Sequence, residues 1–446
     1  MPKKIDASVI QISTADVLGG AEAVAFGLHD RCRKNGFMSK MAVRDKNSVD
    51  ADVTKLDSRG WASRALGSVD KGILKKILRV LDSPSSLYNY YFGVEEFNYS
   101  GIRRYFTNHP VMPDIIHCHN LHGGYFDLRI LPQLCRRSNV ILTLHDCWLL
   151  SGHCAHSLDC DRWTTGCGEC PHLDIYPPVK RDATDRNWKV KKEIYSRSKF
   201  YISTPSNWMM DRIKASILSS SIIEARVINN GVDTKIFFPE ADKKRVRQRL
   251  GLPEDKIIIS SAAINIDNNP WKDYASLIAA LKTASSAVKK DDLLFLSLGS
   301  GSNAKNEWIS TLSIPYTQDR NRYADYLRAS DIYFQASNVE SWGLTITEAM
   351  ACGIPVVSTA VGGIQEQVTA LGSNNRDIAT GILTPQKDPD SMAEAIISLI
   401  RDPELRSCLG GNAARKAASE FSFELQAGEY MRWYDEISEK VKNNDD

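Results

Sequence analysis

DIYFQASNVESWGLTITEAMACGIPVVST, residues 331–359, is the most informative stretch of the chain. Asp331–Ser337 is short, apolar and β-prone, which predicts a buried strand. Asn338–Gly343 reads as a loop and Leu344–Cys352 as a helix, and Gly353 followed by Ile354-Pro355 stops that helix. Val356–Thr359 is a second strand. The unit is therefore βαβ, with a helix N-terminus opening at the carboxyl end of a parallel strand, where α/β sheets bind ligands. Gly343 allows close backbone approach, and the N–H groups of Gly343, Leu344 and Thr345 are expected to face an anion. Glu340 precedes the helix and Glu348 lies eight residues later in its second turn. Carboxylates accept hydrogen bonds from sugar hydroxyls, so the pair suits a sugar joined to a ribose through a pyrophosphate. The plainer alternative makes Glu340 a complement to the helix dipole and Glu348 a solvated helix residue.

The 446 residues are enough for two α/β domains, and 43% apolar with 25% charged residues is an ordinary globular composition. Net charge is +2 but unevenly spread. Residues 1–205 carry 29 Lys+Arg against 22 Asp+Glu, and residues 206–446 carry 27 against 32. The basic first half suits an anionic partner such as lipid headgroups or a phosphorylated acceptor; no nucleic-acid-binding module accompanies it. The start, MPKKIDASVIQIS, lacks the apolar core of a signal peptide, and no run of about 18 apolar residues occurs. A cytoplasmic location follows, in which ten cysteines are thiols or metal ligands rather than disulfides.

Ala7–Ser13 is strand-like and leads through Gly19-Gly20-Ala21-Glu22 into a helical stretch, Ala23–Lys34. Trp61–Asp82 carries apolar residues at helical spacing beside five basic ones, which fits either an ordinary sheet-covering helix or one lying on the inner face of the plasma membrane. Pro113–His119 and Val140–His145 are two more buried strands with polar ends, which brings in His119, Asn120 and His145. Gly152–Pro171 holds Cys154, Cys160, Cys167 and Cys170, the last two as C-x2-C. Four thiolates fit a structural tetrahedral zinc, with His153, His156 or His172 able to replace one; reduced thiols or disulfides are the alternatives. Lys272 stands at a loop–helix junction from which a point charge reaches a pyrophosphate.

ESWGLTITEAMACGIPVV with its E-x7-E spacing, followed by Val361-Gly362-Gly363, resembles the donor-site signature of the retaining glycosyltransferases of family 4. The resemblance covers nearly the whole chain and is strongest at 331–368. It implies the GT-B fold, two Rossmann-like domains facing a cleft. Residues 1–205 would form the acceptor-side domain and 206–422 the donor domain, with a helix at 423–440 packing back on the first. In that family Glu340 would contact the donor sugar, Glu348 the ribose, Gly19 and Gly20 the donor phosphates, and His145 the donor sugar. Lys272 would neutralise the leaving diphosphate, and His119 and Asn120 would face the acceptor. The arginine that often stands near that lysine is missing, since Ala262, Ala263, Asn265 and Trp271 occupy its places; either Lys272 works with less help, or an arginine from elsewhere, such as Arg320 or Arg322, contributes.

The resemblance therefore implies a retaining, metal-independent transfer from a UDP- or GDP-sugar to a glycan or lipid-linked acceptor. No catalytic cofactor is needed. The stretch from Thr143 to Pro171 is similar to the exopolysaccharide, colanic-acid-type subgroup. A nucleotide-sugar epimerase and a non-catalytic scaffold are the readings it competes with.

Overall fold

The computed structural model describes residues 7–442 except 18, 57–87, 90, 96, 98, 110, 289–291 and 300–306. The basic helix expected at 61–82 thus lies outside the described residues. Among the described residues no helix is long and apolar enough to cross a membrane. The chain divides into two compact units, Met1–Ile228 with Ala427–Asp446, and Asn229–Gln426.

Among the described residues, seven parallel strands form the sheet of the first unit. They are β1 (Ser8–Ala15), β2 (Met38–Asp45), β3 (Val53–Lys55), β4 (Ile115–Cys118), β5 (Asn139–Thr143), β6 (Phe200–Thr204) and β7 (Ile222–Val227). Their spatial order is β3-β2-β1-β4-β5-β6-β7. β4 and β6 are buried along their whole length, which is why neither alternates apolar with exposed polar residues. β7 corrects the expected boundary: the first unit ends at 228, not 205. Its sequence, IIEARV, mixes charge with apolar residues because it is an edge strand, and so it resembles a linker.

The helix Phe423–Lys442 supplies Tyr430, Trp433 and Tyr434, spaced so that they share one face, and all three are fully buried. The Tyr434 hydroxyl lies 2.6 Å from His117 Nδ1 and accepts from Gln11 Nε2 at 3.1 Å. Tyr430 meets Ser203 Oγ at 3.0 Å, and Trp433 Nε1 donates to Glu224 Oε1 at 3.0 Å. Each buried polar tip has a partner, which lets three large rings stay out of water without an unmade hydrogen bond.

The second unit carries six parallel strands: β8 (Ile257–Ala262), β9 (Leu293–Leu298), β10 (Ser310–Ile314), β11 (Ile332–Gln335), β12 (Val356–Thr359) and β13 (Gly381–Thr384). They are ordered β10-β9-β8-β11-β12-β13. Residues 331–359 fold as β11, a helix over Leu344–Ala351, and β12, with Tyr333 paired to Val356. The helix ends in a Schellman turn, in which Ile354 N–H donates to the Ala349 carbonyl and Gly353 N–H to that of Met350. Both sheets are doubly wound. Strand order reverses at β1/β4 in one and at β8/β11 in the other, and a crevice opens at such a point.

Burial holds the His117 imidazole down at about 3, with His145 adding to the effect, so it is neutral in the folded protein. An unfolded histidine titrates near 6.5, so the unfolded chain binds the extra proton between those values. The stabilising contribution is complete above about pH 6.5 and is lost as pH falls toward 3. Between pH 7 and 5 this single group is expected to cost about 2 kcal/mol. Urea unfolding at both pH values should show a loss smaller by that amount in His117→Gln than in wild type.

Candidate functional site

In the second unit the loop after β8 and the loop after β11 meet at the reversal of strand order. Lys272 forms an isolated antiparallel bridge with Ser337, Asp273 N–H donates to the Ala336 carbonyl at 3.0 Å, and Asn338 N–H donates to that of Trp271 at 2.9 Å. This backbone seam sets Lys272 Nζ 2.7 Å from Glu340 Oε2 and 3.4 Å from Ser337 Oγ. Both side chains are largely but not wholly buried, so the pair is held yet reachable. Gly362 clasps the same loop from the other side. With φ of +53° it lies in the left-handed region, and a Cβ there would fall 2.0 Å from the Glu340 carbonyl oxygen. Gly363 N–H then donates to that oxygen at 2.9 Å.

Glu348 is not a solvated helix residue. Its side chain is 5% exposed and ion-paired with Arg320, the first residue of the helix Arg320–Arg328. The Arg320 guanidinium also lies over the rings of Phe237 and Tyr323. Of the two arginines named as substitutes, Arg320 reaches the site residues, while Arg322 gives its backbone N–H to the cap residue Asp319.

The helix mouth needs one correction. Gly343 N–H is not open to an anion, because it donates to Gln367 Oε1 at 2.9 Å; Gln367 Nε2 returns a bond to the Gly343 carbonyl at 3.0 Å. Gln367 therefore clamps the peptide that starts the helix, and Leu344 and Thr345 supply the remaining N–H groups of its first turn. The Thr345 hydroxyl is tied to Gln335 Oε1 at 3.0 Å.

In the first unit the crevice between β1 and β4 is lined by histidines. His119 Nε2 meets Gln11 Oε1 at 3.0 Å, which places its proton on Nε2. His119 Nδ1 is then an acceptor for the Nε2–H of His145, 3.2 Å away, and the two rings stack with centroids 5.5 Å apart. This fixes the tautomer of His145 and leaves its Nδ1 as a lone-pair acceptor. Burial lowers His145 to about 4 against the opposing charge of Asp146, and lowers His119 well below the ordinary value. Both are neutral near pH 7. The Asn120 carbonyl accepts from Tyr125 at 2.7 Å, which holds the loop that follows. Gly19 (φ +98°) caps the helix Gly20–Lys34, and both glycines of the pair are exposed.

All ten cysteines are free thiols. Burial pushes Cys154 up to about 11 and Cys167 up to about 12, and raises Cys170 as well. Cys167 Sγ takes a hydrogen bond from Gly152 N–H at 3.2 Å, and Cys170 Sγ lies 3.4 Å from His153 Nε2. Among the described residues no group of three or more His, Cys, Asp or Glu is placed to hold a metal ion. Underneath the loop, the fully buried Lys191 pairs with Glu95 at 2.8 Å and donates to the carbonyls of Trp148 and Ser151, each at 2.9 Å.

Gln367, Gln11, Glu95 and Lys191 escaped sequence reasoning, because their partners stand 24 to 423 positions away. His122 and Asp146 also belong to the first crevice, joined at 2.8 Å; the adjacency of Asp146 to His145 was the available signal.

Comparison with known proteins agrees with this geometry. Residues 242–416 match the glycosyl transferases group 1 family. A protein of Escherichia coli named as a colanic acid biosynthesis glycosyl transferase, WcaC, is 22% identical over 452 residues, covering 96% of this chain and 100% of that one. A D-inositol 3-phosphate glycosyltransferase of Kineococcus radiotolerans is 30% identical over 210 residues, 43% of this chain and 47% of its own length. Among solved structures, sucrose-phosphate synthase from Thermosynechococcus elongatus superposes with a TM-score of 0.66 at 19% identity, covering 97% of this chain and 99% of that one. Anabaena Alr3699/HepE in complex with UDP-glucose gives 0.59 at 15% identity, covering 98% and 99%. With two doubly wound sheets and these structural neighbours, the chain has the GT-B fold, and its residues 242–416 form a glycosyltransferase group 1 domain.

Proposed function

We propose that the chain moves a sugar, with retention and without a metal, from a UDP- or GDP-sugar to a glycan or lipid-linked acceptor of a bacterial exopolysaccharide or related surface glycan. The observation that carries this reading is the Lys272–Glu340 pair at the strand-order reversal of the second unit. Lys272 would turn to the leaving diphosphate, supported by the N–H groups of Leu344 and Thr345 at the helix start. Glu340, freed from Lys272, would accept from donor-sugar hydroxyls, and Glu348, paired with Arg320, would accept from the ribose. Neutral His145 would offer Nδ1 to a hydroxyl of the transferred sugar, with no charge to hold back the developing oxocarbenium ion.

The UDP-glucose bound by Alr3699/HepE and the name of the WcaC protein support the donor class and the exopolysaccharide context respectively. Peripheral membrane contact through residues 61–82 belongs to the same reading, since their apolar positions and five basic residues suit an anionic lipid surface.

Nucleotide release from UDP-, GDP- and ADP-sugars tests the activity directly. Wild type should hydrolyse one donor slowly without acceptor and transfer from it when an acceptor is added. Glu340→Ala and Lys272→Ala should each lower turnover by about 100-fold or more while circular dichroism stays unchanged. Near-normal turnover in Glu340→Ala would remove the assignment of the donor site. A wild type that neither turns over nor is thermally stabilised by any nucleotide would remove the donor reading altogether.

A further inference from the structure

A second group of side chains stands at the carboxyl ends of β1, β4 and β5 in the first unit, beside His145 but apart from its hydrogen-bond chain. His122 Nε2 and Asp146 Oδ2 are 2.8 Å apart, and Asp146 Oδ1 accepts from Trp148 N–H at 2.9 Å. Glu22, in the first turn of the helix Gly20–Lys34, lies within electrostatic reach of both His122 and Asp146. Tyr176 closes the group. Its hydroxyl is 3.5 Å from His122 Nδ1, and its ring meets the imidazole edge-to-face at 5.5 Å and 82°. Trp148 packs edge-to-face against the same imidazole, 5.9 Å away.

The exposures give this group a direction. The side chains of His122 and Asp146 are only 11% and 15% exposed, whereas Tyr176 is 45% exposed. A half-open aromatic ring thus borders a recessed set of one imidazole and two carboxyls. An apolar face beside convergent acceptors fits a pyranose, which offers C–H bonds on one face and hydroxyl donors around its rim. The Asp146 carboxylate, held below its ordinary range by His122 against its burial, disfavours a phosphate or sulfate, so the excess of basic residues in the first half of the sequence is not expressed here.

We infer that this cup is the acceptor subsite, in which a neutral hexose stacks on Tyr176 and donates hydroxyl hydrogen bonds to Glu22 and Asp146. The inference rests on the transferase reading and deepens it by naming the acceptor class. Asp146 is kept ionised despite its burial by His122 and by the Trp148 amide, so it is ready to accept. Burial works against the His122 charge, but Asp146 and Glu22 raise His122 on balance, whereas burial raises the Glu22 carboxyl.

The test is ligand-observed saturation-transfer NMR on the full chain. The probes are the methyl glycosides of glucose, galactose and fucose, with glucose 1-phosphate as an anionic counterpart. Wild type should bind at least one neutral glycoside and not the phosphate. Tyr176→Ala should weaken that binding about tenfold or more, whereas Tyr176→Phe, which keeps the ring, should stay within about threefold. Glu22→Gln should weaken it while leaving the circular dichroism of the fold unchanged. Equal titrations for wild type and Tyr176→Ala, or preference for the phosphate, overturn the assignment. Thermal stabilisation by UDP or GDP, read on the same wild-type sample, reports on the donor reading alone. Stabilisation with no glycoside signal removes the acceptor subsite and leaves the transferase standing.

Discussion

A parallel sheet whose strand order reverses in the middle is the constraint on which the rest depends. Crossover helices must be right-handed, so strands added to either side of the starting strand send their helices to opposite faces. At β1/β4 and at β8/β11 the loops leaving adjacent strands therefore diverge. Lys272 and Glu340 stand at one such place, and His119 with Gln11 at the other. The polar groups collect there because the strands themselves are buried on both faces and tolerate few of them.

The charged groups of the second unit are stored as pairs. Lys272 holds Glu340, and Arg320 holds Glu348. A partly buried charge without a partner is costly, so the pairing holds these four side chains in place. The two pairs are held differently. Lys272 sits on a backbone seam between two loops, while Arg320 is backed by Phe237 and Tyr323 and answers a carboxylate that is almost out of contact with water. The first unit works in the opposite way. Its His117, His119 and His145 are buried without a strong counter-charge and stay neutral, and a chain of hydrogen bonds through Gln11 and Tyr434 sets which nitrogen of each carries the proton.

Much of the candidate site was legible in residues 331–368 because its parts are local. A strand, a loop carboxylate, a helix and a glycine turn follow one another within one βαβ unit, and periodicity with turn chemistry places each of them. Lys272 was placed by resemblance, and the seam to Ser337 explains how a residue 68 positions before Glu340 comes to touch it. Spacing along a loop shows that four thiols can meet but not what each one faces; in the fold Cys167 takes a bond from the Gly152 amide and Cys170 lies beside the His153 imidazole.

By itself the sequence determined the alternation of strands and helices, the presence of two α/β domains and the carboxylates at one helix mouth, since these depend on neighbours within a few residues. Only the tertiary structure decided that Gln367 occupies the Gly343 amide, that Arg320 answers Glu348, and that the first sheet takes a seventh strand. It also decided that Tyr176 comes to lie over His122. Each of these joins residues that local propensity leaves independent. Hydrogen bonds and ion pairs between distant segments are chosen by packing, because a buried polar group must find its partner wherever the sheet brings one.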